Sequence, residues 1–379
     1  MATSESLPAA VRAPARRRPR LRPGISWAAT WVAAGLTLVA SWLTAATASS
    51  EPMHGIAMQG TPALPAGFPH WPYADPAAPK GGRLVFGLIG TFDSLNPLIV
   101  RGLAVQQIRG YVIESLLTRG QDEPFTLYGL LAESLETDDA RGFVTFHIDP
   151  RARFADGKAV EADDVLFSWQ LLRDHGRPNH RMYYAKVARA EALDRLTVRF
   201  DFGGAPDREL PLILGLMPIL PKHAVDADHF EETTLSPPLG SGPYRVTAVK
   251  PGTSVTLTRN PDYWGRDLAV NRGLWNFDEV RIDYFRDANG AFEAFKRGLF
   301  DMRVETDPLR WHEGYDFPAA RRGEVIREEI KTGLPAPSEF LVFNTRRAIF
   351  SDIRVRQALT LLFDFEWINR NYFFGLYSR

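Results

Sequence analysis

The sequence contains no cysteine, and this absence excludes several kinds of chemistry at once. Without cysteine there is no disulfide, no thiolate metal site, no thiol nucleophile and no cysteine to carry a lipid at a mature N-terminus. The other residues are ordinary for a globular protein, since 45% of the 379 are hydrophobic and 24% are charged. A chain of this length can form two or more domains with sizeable cores.

The sequence also lacks a net charge, although its charges are unevenly distributed. Residues 1–48 carry six arginines and one glutamate, so the remainder holds 39 basic and 44 acidic residues. A mildly acidic body argues against general nucleic-acid binding, which requires a basic surface. We therefore expect no nucleic-acid partner.

Sequence signatures of common enzymes are absent too. There is no H-E-x-x-H, no G-x-S-x-G, no P-loop and no G-x-G-x-x-G. The eight histidines are scattered, and the closest pair, His175 and His180, flanks Pro178. We expect no metal, no other cofactor and no enzymatic activity. A hydrolase stays the alternative, because catalytic residues distant in sequence can converge.

Residues 1–48 have the composition of a secretory signal peptide. The arginine cluster precedes an apolar, uncharged run from Ile25 to about Leu43, and Ala46-Thr47-Ala48 forms a small-x-small cleavage site. A retained membrane anchor is the alternative, because the run approaches the roughly 20 residues that a membrane span requires. We expect cleavage and a mature protein in the periplasm.

Residues 49–81 contain seven prolines, which prevents long helices. We expect an extended arm that Phe68, Trp71 and Tyr73 pin to the body. Residues 82–89 then form an apolar strand, and the polar loop Ser94-Leu95-Asn96-Pro97 follows it.

The stretch 238–265, PLGSGPYRVTAVKPGTSVTLTRNPDYWG, predicts a β-hairpin. Tyr244, Val246 and Ala248 alternate with residues 245, 247 and 249 (Arg, Thr and Val), with the period of a half-buried strand. Residues 250–253, K-P-G-T, favour a type II turn, because proline presets φ and glycine accepts a positive φ. The N-P-D-Y-W-G segment ends the hairpin and offers aromatic anchors.

Helix and strand patterns continue along the chain. Helices are predicted at 104–118, from Asp163 or Asp164 as N-cap to about 175, at 288–298, and after Asp352 with Val355, Leu359 and Leu362 on one face. Strands are predicted at 143–148, 195–202, 278–285, 324–331 and 340–344.

Four blocks of the sequence resemble the family 5 extracellular solute-binding proteins, the peptide-binding components of ABC importers. They are the G-S-G-P-Y to R-N-P-D-Y-W-G hairpin, LAESLETDDARGFVTFHIDPRARFADGKAVEADDVLFSW, FDEVRIDYFRDANGAFEAFKRGLFDM and FNTRRAIFSDIRVRQALTLLFDFEWINR. The proline-rich arm resembles the long-armed branch of this family, which includes the microcin C uptake protein.

The resemblance implies an α/β fold, the two-lobed type II periplasmic binding protein. It places the arm at 49–81 and lobe one at 82–335, with subdomains at about 82–100 plus 222–335 and at about 101–221. Residues 336–379 would form the hinge and the start of lobe two. The sequence resembles a C-terminally truncated member, in which lobe one folds but does not trap a peptide tightly.

The implied function is capture of oligopeptides in the periplasm and their delivery to ABC permease subunits in the inner membrane, by a monomer. Leu95 and Asn96 are expected at the ligand cleft from their loop, Tyr183 and Tyr184 as an aromatic pair, and Asn344 at the end of a hinge strand. Ordinary packing is the alternative, and it is favoured for the tyrosines. A nickel complex, haem or an oligosaccharide are alternative ligands, and a non-binding fragment is a further alternative.

Overall fold

Three β-sheets carry the fold in the computed structural model, which describes residues 51–205, 207–335 and 338–379. The predicted signal peptide lies outside the described residues. The strands are β1 Gly55–Ala57, β2 Arg83–Ile89, β3 Leu117–Arg119, β4 Thr126–Gly129, β5 Ala132–Glu136, β6 Phe143–Ile148, β7 Val187–Asp194, β8 Thr197–Phe202, β9 Tyr244–Lys250, β10 Ser254–Arg259 and β11 Glu279–Phe285.

Short helices connect and cover these sheets. They are α1 Ile108–Tyr111, α2 Ala162–His175, α3 Pro178–Tyr184, α4 Leu210–Gly215, α5 Ala288–Lys296, α6 Pro318–Arg321, α7 Ala348–Ser351, α8 Ile353–Leu362 and α9 Phe365–Tyr372, with a π-helical turn at Arg310–Gly314. None of the helices in these described ranges is long and apolar enough to cross a membrane.

The strand orders are β1-β4-β3, β2-β11-β10-β9 and β5-β6-β8-β7. Neighbouring strands run antiparallel, except that β2 and β11 are parallel, with Leu84 opposite Val280. The two four-stranded sheets contribute to the same hydrophobic core, in which Leu257, Ile282, Phe146 and Phe200 are fully buried. Burial of apolar side chains from both sheets stabilises their packing.

The hairpin β9–β10 is confirmed, including its turn. Thr253 N–H donates to the Lys250 carbonyl (2.9 Å), and Gly252 has a φ of +68°, as a type II turn requires. The predicted inward position of Ala248 is wrong. A bulge at Thr247 shifts the pairing, so Ala248 is exposed and the half-buried Val249 takes the inner side.

The predicted helix at 104–118 is wrong. Only the single turn α1 forms, and it is broken at Arg109 and at Gly110, whose φ is +87°. The apolar periodicity is still satisfied, because Val105, Ile108 and Leu116 are fully buried. Apolar spacing thus predicted burial correctly and backbone conformation incorrectly.

The N-cap of helix α2 lies two or three residues before its predicted position at Asp163 or Asp164. Its N-cap is Glu161, and Asp164 lies inside the first turn, where its carboxylate accepts from the Glu161 N–H (3.0 Å). The second Asp164 oxygen accepts from the Lys222 N–H (2.9 Å). Asp164 therefore supports the helix start without being the N-cap. Asp352, by contrast, is confirmed as a cap, since its side chain accepts from the Arg354 N–H in α8.

The predicted strands at 324–331 and 340–344 are wrong, because neither segment pairs with another strand within the described residues. Their apolar side chains are exposed, for example Ile326 (83%) and Leu341 (83%). The face of α8 that carries Val355, Leu359 and Leu362 is also left uncovered, and Leu362 is 80% exposed. An isolated strand has no partner for its backbone hydrogen bonds, so an apolar pattern alone does not form one.

The proline-rich arm packs against the body as predicted. Its strand β1 pairs with β4, and Phe68 and Trp71 are buried. The Trp71 indole N–H donates to the Val270 carbonyl (2.8 Å), 199 residues further along the chain. Tyr73 is 42% exposed, but its ring stacks on that of Trp71 with 5.7 Å between the ring centroids.

Candidate ligand-binding site

The loop that follows β2 is closed by backbone hydrogen bonds at its base. The N–H groups of Asp93 and Ser94 donate to the Leu103 carbonyl (3.0 and 3.3 Å), and the Val105 N–H donates to the Ser94 carbonyl (3.1 Å). The Asp93 carboxylate accepts from the Leu103 N–H (2.6 Å). Residues 93–104 therefore form a fixed loop at the end of a sheet strand, a common location for binding residues.

Leu95 and Asn96 organise this loop from the inside. Leu95 is 1% exposed, and its N–H donates to the Thr234 carbonyl (2.6 Å). The Asn96 side chain donates to the Phe230 carbonyl (3.0 Å) and accepts from the Leu98 N–H (3.0 Å). Contact of these two residues with a ligand stays a prediction. Their hydrogen bonds show that they hold the loop in place.

Helix α3 is attached to the same loop through Arg177, the residue before its first turn. The Arg177 N–H donates to the Leu98 carbonyl (3.1 Å), and its Nε donates to the Ile99 carbonyl (3.0 Å). The structure thereby brings the predicted Tyr183–Tyr184 pair onto the element that holds the Leu95–Asn96 loop.

The two tyrosines of α3 differ in exposure. Tyr184 is 2% exposed and stacks on His180, with ring centroids 5.5 Å apart and planes 4° apart. Tyr183 is half-buried, with the Lys186 ammonium 4.8 Å from its ring centroid. Tyr184 therefore packs inside the structure and Tyr183 is partly accessible, while contact of either tyrosine with a ligand stays a prediction.

Asn344 lies on a different part of the chain from the other four predicted residues. It is exposed, and its hydrogen bonds run to Arg346 and Arg347 in its own turn. Among the described residues, no hydrogen bond links it to the loop or to α3. Its predicted place at the cleft stays a prediction.

Sequence reasoning did not single out Arg109 and Arg177, and each of them donates to a backbone carbonyl. Arg109 donates to the Leu216 carbonyl (3.2 Å) at the end of α4. No local sequence pattern distinguishes these arginines from others, because only the fold shows which guanidinium groups have a carboxylate partner.

The G-S-G-P-Y motif packs against the segment that follows α1. A Cβ at Gly240 would lie 1.9 Å from the Val112 carbonyl oxygen, and one at Gly242 would lie 2.5 Å from that of Tyr111. Neither glycine has a positive φ. Close approach of two backbones, rather than conformational freedom, therefore requires glycine here.

Glu114 connects this contact to the end of the hairpin. It is 4% exposed, and its carboxylate accepts from the Tyr263 hydroxyl and from the Trp264 indole N–H (3.2 Å). Burial raises the Glu114 pKa to about 7, although these hydrogen bonds act in the opposite direction. Both partners come from the N-P-D-Y-W-G segment, so the two sequence motifs are joined through one buried carboxylate.

Within the described ranges, no three His, Asp or Glu side chains lie close enough together to hold an ion. His175 lies 3.3 Å from a Glu231 oxygen, and His180 stacks on Tyr184 as described above.

The decisive observation is a match of residues 126–379 to the model of the family described as bacterial extracellular solute-binding proteins, family 5 Middle. The chain belongs to family 5. This membership confirms the resemblance found in the sequence. Assignment to the long-armed branch stays a prediction.

One relative is the peptidoglycan-binding protein YepA of Agrobacterium fabrum. It is 45% identical over 357 residues, which cover 90% of this chain and 58% of YepA. The chain therefore spans little more than half the length of this relative.

Two solved structures show similar folds. MoaA of A. tumefaciens R10, in complex with mannopinic acid, has a TM-score of 0.59 and 26% identity, covering 78% of this chain and 57% of MoaA. The oligopeptide-binding protein AppA of Bacillus subtilis, in complex with a nonapeptide, has a TM-score of 0.58 and 25% identity, covering 77% and 56%. The predicted α/β fold of the family is confirmed.

Proposed function

We propose that this protein captures peptides in the periplasm and delivers them to ABC permease subunits in the inner membrane. Family membership carries the proposal, and the similarity to AppA in complex with a nonapeptide supports peptides as the solute. The name of YepA makes peptides of peptidoglycan the first ligands to test. The protein would act as a monomer after removal of residues 1–48.

The ligand would contact the loop 93–104 and helix α3. Tyr183 belongs to this helix and is partly accessible. Peptide main-chain groups would bond to loop and strand edges, while side chains would occupy wetter, more tolerant space. Residues 82–335 would form the lobe that carries this face, and residues 336–379 would begin the opposite wall. Closure of two walls around a ligand is the usual mechanism of periplasmic binding proteins.

A non-peptide solute is the second candidate, because MoaA binds mannopinic acid on a similar fold. The test exposes the purified protein to a pooled peptide library mixed with mannopinic acid, and then identifies the retained molecules by native mass spectrometry. Retained peptides support the proposal. Retention of mannopinic acid alone would favour the second candidate, and retention of neither would contradict both.

A further inference from the structure

A series of hydrogen bonds connects the buried Glu114 carboxyl to a half-buried tryptophan. The Tyr263 hydroxyl donates to Glu114, and the Asn271 amide donates to the Tyr263 oxygen (2.8 Å). The Trp275 indole N–H in turn donates to the Asn271 side-chain oxygen (2.8 Å). Glu114, Tyr263 and Asn271 are each at most 5% exposed. One buried carboxyl is thereby linked to both ends of the segment 261–277.

The side chains that face the Glu114 carboxyl are all uncharged. Tyr263 and Trp264 donate to it from the end of the hairpin. The Ser241 hydroxyl, from the G-S-G-P-Y motif, is buried beside it and has no other partner among the described residues. Ile219, whose N–H donates to the Glu114 carbonyl (2.9 Å), is apolar. Within the described residues no cation faces this carboxyl, so burial dominates and raises its pKa.

Ser241 explains how the carboxyl can exist in two protonation states at this position. A hydroxyl can donate to a carboxylate or accept from a carboxylic acid. Tyr263 and Trp264 supply donors only to the carboxylate oxygens, whereas Ser241 can also accept the acid proton of Glu114. Both states therefore have partners, and they differ in the cost of burying a charge.

The segment 261–277 also holds the proline-rich arm. The Lys80 ammonium donates to the Leu274 carbonyl (2.5 Å). The Gly81 N–H donates to the Asn276 carbonyl (2.8 Å). Together with the indole hydrogen bond of the arm described above, these contacts attach residues 71–81 to the segment. Any opening of the segment would therefore loosen this part of the arm.

This network is separate from the proposed solute face. Trp275 packs on Tyr244, the first residue of β9, with 6.2 Å between the ring centroids. The loop that leads into residues 93–104 lies at the opposite end of the hairpin, where the Thr91 hydroxyl donates to the Gly252 carbonyl (3.0 Å). A change in the network is therefore expected to act on the arm and not on solute contacts.

We propose that Glu114 and its hydrogen-bonded partners form a proton-dependent latch for the segment 261–277 and residues 71–81 of the arm. The neutral carboxyl holds the segment closed. Loss of its proton favours a local opening, because a buried carboxylate has given up water without gaining a cation, and opening hydrates it again. The segment therefore opens more readily as the pH rises.

The test is hydrogen–deuterium exchange of the full chain at pH 6 and pH 8, corrected for the intrinsic pH dependence of amide exchange. Because the Glu114 pKa is about 7 in the folded state, above the ordinary 4.5, the opening equilibrium of residues 261–277 and 71–81 should rise about tenfold between these pH values. Glu114→Gln, which has no proton to lose, should show no such rise.

The matched control is Glu133→Gln, at an exposed glutamate, and it should behave like the parent. An equal rise in the parent and in Glu114→Gln would overturn the latch. So would a rise of the same size in all parts of the parent, because it would report global unfolding. Strand β6 is the internal reference for that comparison, and it decides the matter on the parent alone if a variant fails to fold.

Trypsin provides a second readout, since Arg266 and Arg272 are exposed within the segment. Cleavage after these residues should accelerate from pH 6 to pH 8 about tenfold more in the parent than in Glu114→Gln, which carries the pH dependence of the protease itself. The same acceleration in both proteins would contradict the latch.

Discussion

Glu114 has an environment that its position in the sequence does not suggest. The sequence shows one glutamate within an apolar segment, whereas the fold places its carboxylate under Tyr263 and Trp264. These partners are about 150 residues away, so no local pattern predicts the contact. A buried carboxylate with a raised pKa is stabilising mainly in its neutral form.

The first prediction concerns how Glu114 makes the free energy of unfolding depend on pH. Its folded-state pKa, about 7, is above the ordinary 4.5, so the stability that it contributes is fully present below pH 4.5. That contribution is lost as the pH rises through 7. Between pH 4.5 and 8 the parent should lose about 3 kcal/mol more free energy of unfolding than Glu114→Gln, which stays neutral. Urea titrations at several pH values measure this difference.

The control for this measurement is Glu133→Gln, since Glu133 is an exposed glutamate on strand β5. Its pH profile should follow that of the parent. Parallel profiles for the parent and Glu114→Gln would show that the carboxyl titrates normally in the folded state.

The second prediction concerns Gly240. A Cβ there would overlap the Val112 carbonyl oxygen, so Gly240→Ala should force the two backbones apart and cost about 2 to 4 kcal/mol. Gly290→Ala, in the first turn of α5, meets no atom closer than 3.5 Å and should change stability by less than about 1 kcal/mol. Chemical denaturation of both variants provides the comparison, and an equal cost would contradict the close-packing account.

At the scale of elements, strands with clear turn signals were the most predictable. Strand β6 has the predicted bounds, and the β9–β10 hairpin has its predicted turn. The failures share one cause. Apolar spacing predicts which side chains are buried, but strands and helices also require backbone partners, and these come from distant segments or are absent in the described residues.

The third prediction concerns the arm as an element. Trp71→Ala removes a buried ring and the hydrogen bond to Val270, so it should cost about 3 to 5 kcal/mol and loosen the arm. Limited proteolysis should then cut faster within residues 59–67 than it does in the parent. Tyr73→Ala, at a side chain that is 42% exposed, is the control and should leave cleavage slow. Cleavage at the parent rate in Trp71→Ala would show that other contacts hold the arm.

At the scale of the whole molecule, the family and its α/β fold were predictable from four sequence blocks, because those blocks carry turns and aromatic anchors at fixed positions. The binding residues were less predictable. Leu95 and Asn96 were assigned to the cleft from their loop, and their contact with a ligand stays a prediction, because Leu95 is buried and the Asn96 side chain bonds within the structure. The lobe boundaries and the role of Asn344 stay predictions.

The central claim is that solute binds on the face formed by the loop 93–104 and helix α3. Hydrogen–deuterium exchange of the chain, with and without a peptide retained in the library experiment, tests it most directly. The account predicts slower exchange in residues 93–104 and 177–184 when peptide is present, with little change in the hairpin 244–259. Protection confined to the hairpin, or no protection at the loop and helix in the presence of saturating peptide, would contradict it.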